Sequence, residues 1–388
     1  MNLAKRMSRL GTETAFEVLA QAQKLESQGN KIIHLEIGEP DYDTPQNIIV
    51  AGQNALQNGF TSYNPSPGYM ELRQAIATDI SNSRNISVSP SNVIVTPGGK
   101  PIMFFIMLAL IENGDEVLYP NPGFPIYESM IRFCGGTAIP MQLYEDRDFN
   151  IDVAEVEKQI TSKTKLIIIN SPNNPCGSII EDAELKQLSE LAKTHDILVL
   201  SDEIYSRFLF EGSHTSIASY PDMLDRTIIL DGFSKTYSMT GWRIGYGIMP
   251  TDLVEPISRL VTNSVSCTAS FTQQAAIEAL TGSQIKPNEM VLEFKRRRNI
   301  VVEELNKIPG IQCNMPKGAF YVFPNITKTG FKSADLANRL LHEAGVALLS
   351  GDCFGKYGDG FLRISFANSE TNLKEAITKI GDFIRSNP

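Results

Sequence analysis

A lysine in a loop rich in glycine, serine and threonine is the residue whose position most directly indicates chemistry. Lys235 lies in the segment 231–243, Asp-Gly-Phe-Ser-Lys-Thr-Tyr-Ser-Met-Thr-Gly-Trp-Arg, just after the apolar run 227–230. A loop after a strand of an α/β protein faces the ligand crevice, and a lysine amine there can condense with an aldehyde. Such a Schiff base is how enzymes hold pyridoxal phosphate. Arg243, eight residues later, could then bind the phosphate.

An aspartate follows a second apolar run, in Ser-Asp-Glu-Ile-Tyr at positions 201–205. A buried carboxylate on Asp202 could pair with a pyridinium nitrogen and so keep the ring an electron sink. Tyr205, three residues later, is suited to donate to the phenolic oxygen of the cofactor. Taken alone, the motif fits a helix N-cap at Asp202 better.

Three more segments carry polar or aromatic residues at predicted strand ends or helix starts. Asn174, in Asn-Ser-Pro-Asn-Asn-Pro-Cys-Gly at 170–177, could donate to the same phenolic oxygen, although a structural turn explains its prolines equally well. Thr-Pro-Gly-Gly-Lys at 96–100 opens a helix, so its free backbone N–H groups form a phosphate site. Phe124, at another helix start, could stack on a flat ring.

The same loops do not fit rival motifs. Residue 94 is Ile and residue 101 is Pro where a P-loop needs Gly and Ser or Thr, and the GxGxxG of a dinucleotide fold is also missing. The segment 232–236 lacks the final glycine of a hydrolase nucleophile elbow, so a serine nucleophile is not expected.

Composition and charge exclude several function classes. The chain has 388 residues, of which 42% are hydrophobic and 20% charged, and a net charge of -9, which argues against nucleic-acid or anionic-membrane binding. The five cysteines are scattered and never spaced as CxxC, so we expect a reduced cytoplasmic protein without a structural metal. Neither a signal peptide nor a membrane span is expected. The four histidines are expected at surface or loop positions, and the basic run 295–298 is expected on a solvated, ion-paired helix face.

Alternating apolar runs and helical patterns from about residue 92 to 248 predict an α/β fold with a mostly parallel sheet covered by helices on both faces. The predicted strands are 93–95, 116–119, 165–169, 197–200, 227–230 and 244–248, and the helices between them are 100–112, 125–133 and 182–193. Two helical patterns, 271–280 and 288–306, precede a smaller α+β region. Its elements are strand 319–323, helix 333–344, strands 346–349 and 361–366, and helix 371–385. We therefore expect a large domain over 45–275 and a small domain from 1–44 and 276–388.

The order of these segments resembles the class I/II aminotransferases, a family of fold-type I pyridoxal phosphate enzymes, and is most similar to the bacterial aspartate aminotransferase branch. The resemblance covers nearly the whole chain. Its landmarks are Gly38-Glu39-Pro40-Asp41-Tyr42, Tyr63, Gly98-Gly99-Lys100, Phe124, Asn173-Asn174-Pro175, Asp202-Glu203-Ile204-Tyr205, Ser234-Lys235, Arg243 and Arg363.

The resemblance implies a role for each matching residue. Lys235 would form the Schiff base and act as the base, Asp202 would pair with the ring nitrogen, and Tyr205 with Asn174 would contact the phenolic oxygen. The remaining cofactor contacts would come from Phe124, Gly99, Lys100, Ser234 and Arg243, with Tyr63 reaching the site of the other subunit in a homodimer. Substrate would be bound by Gly38, Phe124, Asn174 and Arg363, whose guanidinium suits a bidentate pair with the α-carboxylate.

The implied activity is ping-pong transfer of an amino group from an L-amino acid to a 2-oxo acid. Aspartate or glutamate with 2-oxoglutarate is the first expectation, with alanine or aromatic amino acids next. Lys100 is a candidate for binding a distal carboxylate, and a role at the phosphate is an equal alternative. A pyridoxal phosphate lyase catalysing β-elimination and a non-catalytic cofactor-binding sensor are the alternative functions. Phe16 and the segment 317–321 are expected to close over the substrate.

Overall fold

Strands and helices alternate along the chain, and the computed structural model describes them for residues 2–387. The strands are β1 Ile33–His34, β2 Val93–Thr96, β3 Glu116–Asn121, β4 Thr137–Tyr144, β5 Asn150–Ile151, β6 Thr164–Asn170, β7 Leu198–Asp202, β8 Thr227–Gly232, β9 Gly245–Ile248, β10 Tyr321–Val322, β11 Val346–Ala347, β12 Leu349–Ser350 and β13 Leu362–Ser365. The helices are α1 Thr14–Ser27, α2 Gln46–Gln57, α3 Met70–Arg84, α4 Lys100–Leu110, α5 Ile126–Cys134, α6 Val153–Gln159, α7 Asp182–Thr194, α8 Thr251–Ser264, α9 Ser270–Thr281, α10 Ile285–Leu305, α11 Ser333–Arg339 and α12 Glu370–Ser386.

Eight strands form the central sheet, in the order β2-β9-β8-β7-β6-β3-β4-β5. The pairs β3·β4, β3·β6, β6·β7 and β7·β8 are parallel, whereas β9 runs antiparallel to β2 and β8, and β5 runs antiparallel to β4. The predicted mostly parallel α/β sheet is therefore confirmed.

Strand β6 shows why its sequence is almost continuously apolar. Its residues Leu166 and Ile168 pack into one cluster with α4 and α5, whereas Ile167 and Ile169 pack into another with α7. Alternate side chains point to opposite faces of a strand, so both faces must be apolar when helices cover both. Every helix within residues 2–387 is too short or too polar to span a bilayer.

The C-terminal third builds a smaller α+β region. Its sheet has the order β10-β13-β12, and β11 pairs in parallel with the N-terminal strand β1. The single strand predicted over 346–349 is two short strands, because the chain changes partner between β11 and β12. Phe294, Phe320 and Phe366 are buried between this region and α10.

The basic run 295–298 lies on α10 and is ion-paired, as predicted. Arg297 pairs with Asp41 and Arg298 with Glu211, both at 2.7 Å. The expectation of a solvated face is wrong for these two arginines, which are buried because α10 packs against the small region with both side chains inside.

Candidate active site

A cavity of about 600 Å³ opens where β6, β7 and β8 end. The parallel pairing of these strands brings their carboxyl ends to one edge of the sheet, which is where such sheets bind ligands. The predicted site residues that line the cavity are Gly38, Gly99, Lys100, Phe124, Asn174, Asp202, Tyr205, Ser234, Lys235, Arg243 and Arg363. Tyr63 is not among them; its side chain, between α2 and α3, is 87% exposed.

Lys235 lies in the loop after β8, and its Nζ donates to the backbone carbonyl of Gly38 at 2.6 Å. Burial lowers the pKa of Lys235 to about 8, Lys100 and Arg363 act in the same direction, and Glu39 and Glu13 oppose them. A substantial fraction of the amine is therefore neutral near pH 8, and only the neutral amine can act as nucleophile or base.

Asp202 is the last residue of β7, and no helix begins there, so the N-cap alternative is wrong. Its Oδ2 accepts a hydrogen bond from the Tyr127 hydroxyl at 2.7 Å, and its Oδ1 accepts one from the backbone N–H of Ile204 at 3.3 Å. Burial raises the pKa of Asp202 to about 6, and Tyr127, Ile204 and Lys235 limit that rise. The Asp202 carboxylate is therefore buried and oriented by two hydrogen bonds, but no cationic side chain forms an ion pair with it in the described part of the chain.

Tyr205 and Asn174 face the cavity from the two neighbouring strand ends. The Tyr205 hydroxyl lies 2.7 Å from the hydroxyl of Tyr321, and burial holds the pKa of Tyr205 well above its ordinary value. The Asn174 backbone N–H donates to Asn170 Oδ1 at 2.8 Å, which fixes the loop after β6. Its side-chain oxygen accepts from Arg363 Nη1 at 3.2 Å, so the Asn174 amide NH2 remains available to a ligand.

Glycines allow a close approach of backbone and arginine at the start of α4. A Cβ on Gly98, whose φ is +87°, would lie 2.3 Å from Arg243 Nη2, and a Cβ on Gly245 would lie 2.5 Å from the Gly99 nitrogen. Arg243 Nη1 is held by the Thr240 carbonyl at 2.8 Å. The first N–H groups of a helix have no carbonyl partner in a preceding turn, so this corner combines free donors with a guanidinium.

Arg363 lies on β13 with a buried guanidinium. The rings of Tyr321 and Phe354 lie over it, with centroids 4.6 and 5.0 Å away, and the carbonyl of Glu36 accepts from Nη2. Its Nε is buried without a partner among residues 2–387. An oriented guanidinium with an unsatisfied donor fits a carboxylate ligand.

The start of helix α1 brings two more side chains to the cavity: Phe16, which was expected near the substrate, and Glu13, which was not predicted. Glu13, just before α1, forms an ion pair with Lys100. The Lys100 ammonium also lies 5.8 Å from the ring centroid of Phe16 and 5.3 Å from that of Phe124. The Lys100 side chain is thus directed towards α1 and Phe124, which favours a role at the substrate over one at the phosphate.

Sequence reasoning missed Tyr127 and Glu13. Tyr127 is three residues after Phe124, at the start of α5, which was a usable signal, whereas Glu13 comes from a segment that only folding brings to the cavity. Tyr321 belongs to the segment 317–321 that was expected near the substrate, and it lines the cavity. His214 lies in a loop, as expected, but its side chain is nearly buried, with Nε2 2.9 Å from Glu203 Oε2.

These residues fit pyridoxal phosphate. A glycine-lined corner with a guanidinium suits a phosphate, a buried carboxylate without a full countercharge suits a pyridinium, and a lysine with a lowered pKa suits an aldehyde. The three features lie in one cavity.

Comparison with known proteins agrees with a site for pyridoxal phosphate. Residues 30–380 match the family model "Aminotransferase class I and II". The chain is 38% identical to an aspartate aminotransferase of Bacillus subtilis, over 99% of both proteins, and 36% identical to aromatic-amino-acid aminotransferase 2 of Thermococcus litoralis, over 98% of this chain and 97% of that one. It superposes on the aspartate aminotransferase from Thermus thermophilus with maleate at a TM-score of 0.95, with 35% identity over 98% of this chain and 99% of that one. These names favour transamination over β-elimination and over a non-catalytic sensor. The chain belongs to the class I and II aminotransferases, and it is a pyridoxal phosphate-dependent transaminase.

Proposed function

We propose that the enzyme transfers the amino group of L-aspartate or L-glutamate to a 2-oxo acid such as 2-oxoglutarate. The observation that carries this choice is that two cations besides Arg243 line the cavity, Arg363 and Lys100, both close enough to Lys235 to lower its pKa. A dicarboxylate needs one cation for its α-carboxylate and a second for its distal carboxylate. Arg363, held by two rings, suits the first, and Lys100 suits the second.

We assign the cofactor contacts as follows. Gly99, Ser234 and Arg243 hold the phosphate, Phe124 lies against the ring, Asp202 faces the ring nitrogen, and Tyr205 with Asn174 faces the phenolic oxygen. When bound, the cofactor supplies an aldehyde that receives the amino group and a ring that takes up electron density from the α-carbon.

The protein side of the reaction is proton movement and orientation. Arg363 binds the α-carboxylate, which turns the Cα–H bond towards the Lys235 Nζ, and Gly38 lines the substrate site with its backbone. The neutral Lys235 amine takes the α-proton and returns it as an ammonium group. Asp202 stays ionised so that the ring nitrogen keeps its proton. After the oxo-acid product leaves, a second oxo acid enters the same site, which gives ping-pong kinetics.

An aromatic amino acid is a second candidate donor, and a specific contact favours it. Glu13 already neutralises Lys100, and the rings of Phe16 and Phe124 flank the ammonium. An apolar side chain would meet these rings without displacing Glu13, whereas a dicarboxylate must compete with Glu13 for Lys100.

The test is the half-reaction without an acceptor. The visible absorbance of the loaded enzyme is followed as aspartate, glutamate, phenylalanine or alanine is added singly, and the released oxo acid is identified. Loss of the visible band fastest with aspartate or glutamate supports the proposal. A band that only aromatic donors discharge contradicts it.

The variant Glu13→Gln distinguishes a dicarboxylate donor from an aromatic one. Freeing Lys100 should raise kcat/KM for aspartate relative to phenylalanine by about 2- to 5-fold, the size expected for a partly exposed ion pair. Glu17→Gln, on the exposed face of the same helix, is the matched control and should leave the ratio unchanged. An unchanged ratio in Glu13→Gln would mean that Lys100 does not bind the distal carboxylate.

We also propose a homodimer in which Tyr63 reaches the phosphate corner of the neighbouring site. Tyr63 is 87% exposed, and Leu56 and Met70, on either side of its loop, are about half exposed. An apolar patch of this kind suits a subunit interface. Sedimentation of the wild type and a PLP titration of Tyr63→Phe test both parts of this proposal.

Two further expectations remain proposals. The five cysteines are free, which suits a reduced cytoplasmic compartment. We place the large domain at 45–275 and the small domain at 1–44 and 276–388, because β1 pairs with β11 rather than with the central sheet. Limited proteolysis that first cuts near 44 or 276 would support these boundaries.

A further inference from the structure

A buried ionic cluster lies directly behind the cofactor-facing residues. Asp202 and Tyr205 line the cavity, whereas the intervening Glu203 and the following Ser206 point away from it into the protein. The side chain of Glu203 is only 1% exposed. A carboxylate this deeply buried must be paired and hydrogen-bonded to be tolerated.

Glu203 accepts four hydrogen bonds. Its Oε1 accepts from the hydroxyls of Ser201 at 2.9 Å and Ser216 at 2.6 Å, and its Oε2 accepts from Arg84 Nε and His214 Nε2, both at 2.9 Å. Four bonds saturate the acceptor capacity of a carboxylate and fix its direction. These bonds therefore fix the Glu203 backbone, and with it the turn from 202 to 205, on the side that faces away from the cavity.

Arg84 joins this turn to the strand that precedes Lys235. It is the last residue of α3, and its guanidinium is 3% exposed. Its Nη2 donates to Ser206 Oγ and to Asp231 Oδ2, both at 2.7 Å. Asp231 Oδ1 in turn accepts from the Gly232 backbone N–H at 2.7 Å. One guanidinium thus contacts the Asp202–Tyr205 turn and the end of β8.

We propose that Arg84 is a positioning residue for the cofactor: by binding Glu203, Ser206 and Asp231 at once, it fixes the ring-facing pair Asp202 and Tyr205 relative to Lys235. Arg84 does not line the cavity and so does not touch cofactor or substrate. The guanidinium donates from two nitrogens, Nε to Glu203 and Nη2 to Ser206 and Asp231, whereas the three donors of an ammonium all start from one nitrogen and would not span the same acceptors. The side-chain geometry, and not the charge alone, is what the role requires.

The electrostatics of the cluster agree with this role. Burial raises the pKa of Asp231 to about 6 although Arg84 opposes the rise. For Glu203 burial acts in the same direction, but His214 and Arg84 outweigh it and hold its pKa well below the ordinary value. Removing Arg84 would leave Glu203 paired with His214 alone and would take from the buried Asp231 its ion-pair partner, which favours protonation of Asp231.

The test compares Arg84→Lys and Arg84→Met with the matched control Arg298→Met. Arg298 is also 3% exposed and paired with a glutamate, but it lies in α10, away from the strand ends. Three quantities are measured: the Kd of the apoprotein for PLP, from quenching of the chain's single Trp; the pH midpoint of the visible absorbance of the bound cofactor; and the thermal midpoint.

We expect both Arg84 variants to weaken PLP binding by about 10- to 100-fold, the loss typical when a residue that orients a metal ligand is replaced, and to shift the pH midpoint. The kcat should fall more than KM rises, because Arg363 is untouched. Arg298→Met should lower the thermal midpoint only. The proposal would be overturned if the Arg84 variants kept a Kd for PLP within twofold of wild type and an unchanged pH midpoint. It would also be overturned if Arg298→Met lost as much PLP affinity as they do.

If neither Arg84 variant folds, Ser206→Ala tests the positioning role, since it removes one hydrogen bond of the same guanidinium and the weaker one from Ser206 to Asp231. A twofold to fivefold weaker PLP affinity with a shifted pH midpoint supports the positioning role. Values equal to wild type overturn it.

Discussion

The hydrogen bond from Tyr127 to Asp202 gives the most quantitative prediction. Tyr127 is fully buried, and its hydroxyl lies 2.7 Å from Asp202 Oδ2. Tyr127→Phe removes that donor and little else. A hydrogen bond to an ionised group is worth about 1.5–3 kcal/mol, so its loss shifts the ionisation equilibrium of the carboxyl by a factor of about 10 to 100.

The effect depends on pH in a defined direction. With the pKa of Asp202 at about 6, about 90% of the carboxyl is ionised at pH 7. In the variant that fraction falls to about 10–50%. If the ionised carboxylate is the form that binds the protonated ring, PLP affinity at pH 7 falls about 2- to 10-fold. At pH 9 both proteins are largely ionised, and the difference should nearly vanish.

The assay is the ratio of variant to wild-type Kd for PLP from pH 5.5 to 9, because titrations that both proteins share cancel in the ratio. Tyr237→Phe is the matched control: Tyr237 is also buried, but its hydroxyl contacts Gln284 and not Asp202. A Tyr127→Phe ratio that is flat across this range, or that matches the control, would refute the assignment of Asp202 to the ring nitrogen.

Four other outcomes follow from the site. Folding raises the pKa of Asp202 from 3.8 to about 6, so ionisation of this carboxyl destabilises the folded apoprotein as the pH rises from about 4 to 6. Asp202→Asn removes that cost. In urea denaturation the variant should be more stable than wild type by up to about 3 kcal/mol at pH 8 and equally stable at pH 4. Capture of PLP should accelerate with pH to a plateau with a midpoint near 8, the pKa of Lys235, and Lys235→Ala should retain the fold while losing the visible band and most turnover. Phe354→Leu removes one ring from Arg363 and should raise KM for every donor by about 2- to 5-fold with little change in kcat.

The sequence predicts the site residues at strand ends well. Asn174, Asp202 and Lys235 each follow an apolar run, and parallel strands bring their carboxyl ends to one edge of the sheet. The local sequence pattern therefore predicted that these three residues lie close together, without any knowledge of how the helices and strands pack. The same reasoning explains why six of the eight strands of the central sheet were predicted. The strands β4 and β5, at one edge of the sheet, were not identified: β4 contains Pro140 and has only two buried residues, and β5 has only two residues.

Residues from outside the central sheet could not be placed in this way. Tyr321 reaches the cavity because β10 packs over it and because Gly38 has no side chain; a Cβ there would lie 2.0 Å from the Tyr321 hydroxyl. Glu13 reaches Lys100 because α1 crosses the cavity mouth. Neither contact has a sequence spacing that could signal it, since each depends on how two distant segments pack.

The adjacent acids Asp202 and Glu203 mark the limit of sequence reasoning. Because successive side chains at a strand end point to opposite sides, one acid had to face the ligand and the other the interior. Burial of the second acid required a counterion, so a hidden cation could have been predicted from these two residues alone. Its identity could not, because Arg84 is 119 residues away and contacts Glu203 only once α3 is packed against the sheet. The residues of this turn that face the ligand can therefore be predicted from the local sequence, whereas the residues that orient them are brought there by the tertiary fold. For this reason, substitutions behind the turn should alter cofactor binding although they do not contact the cofactor.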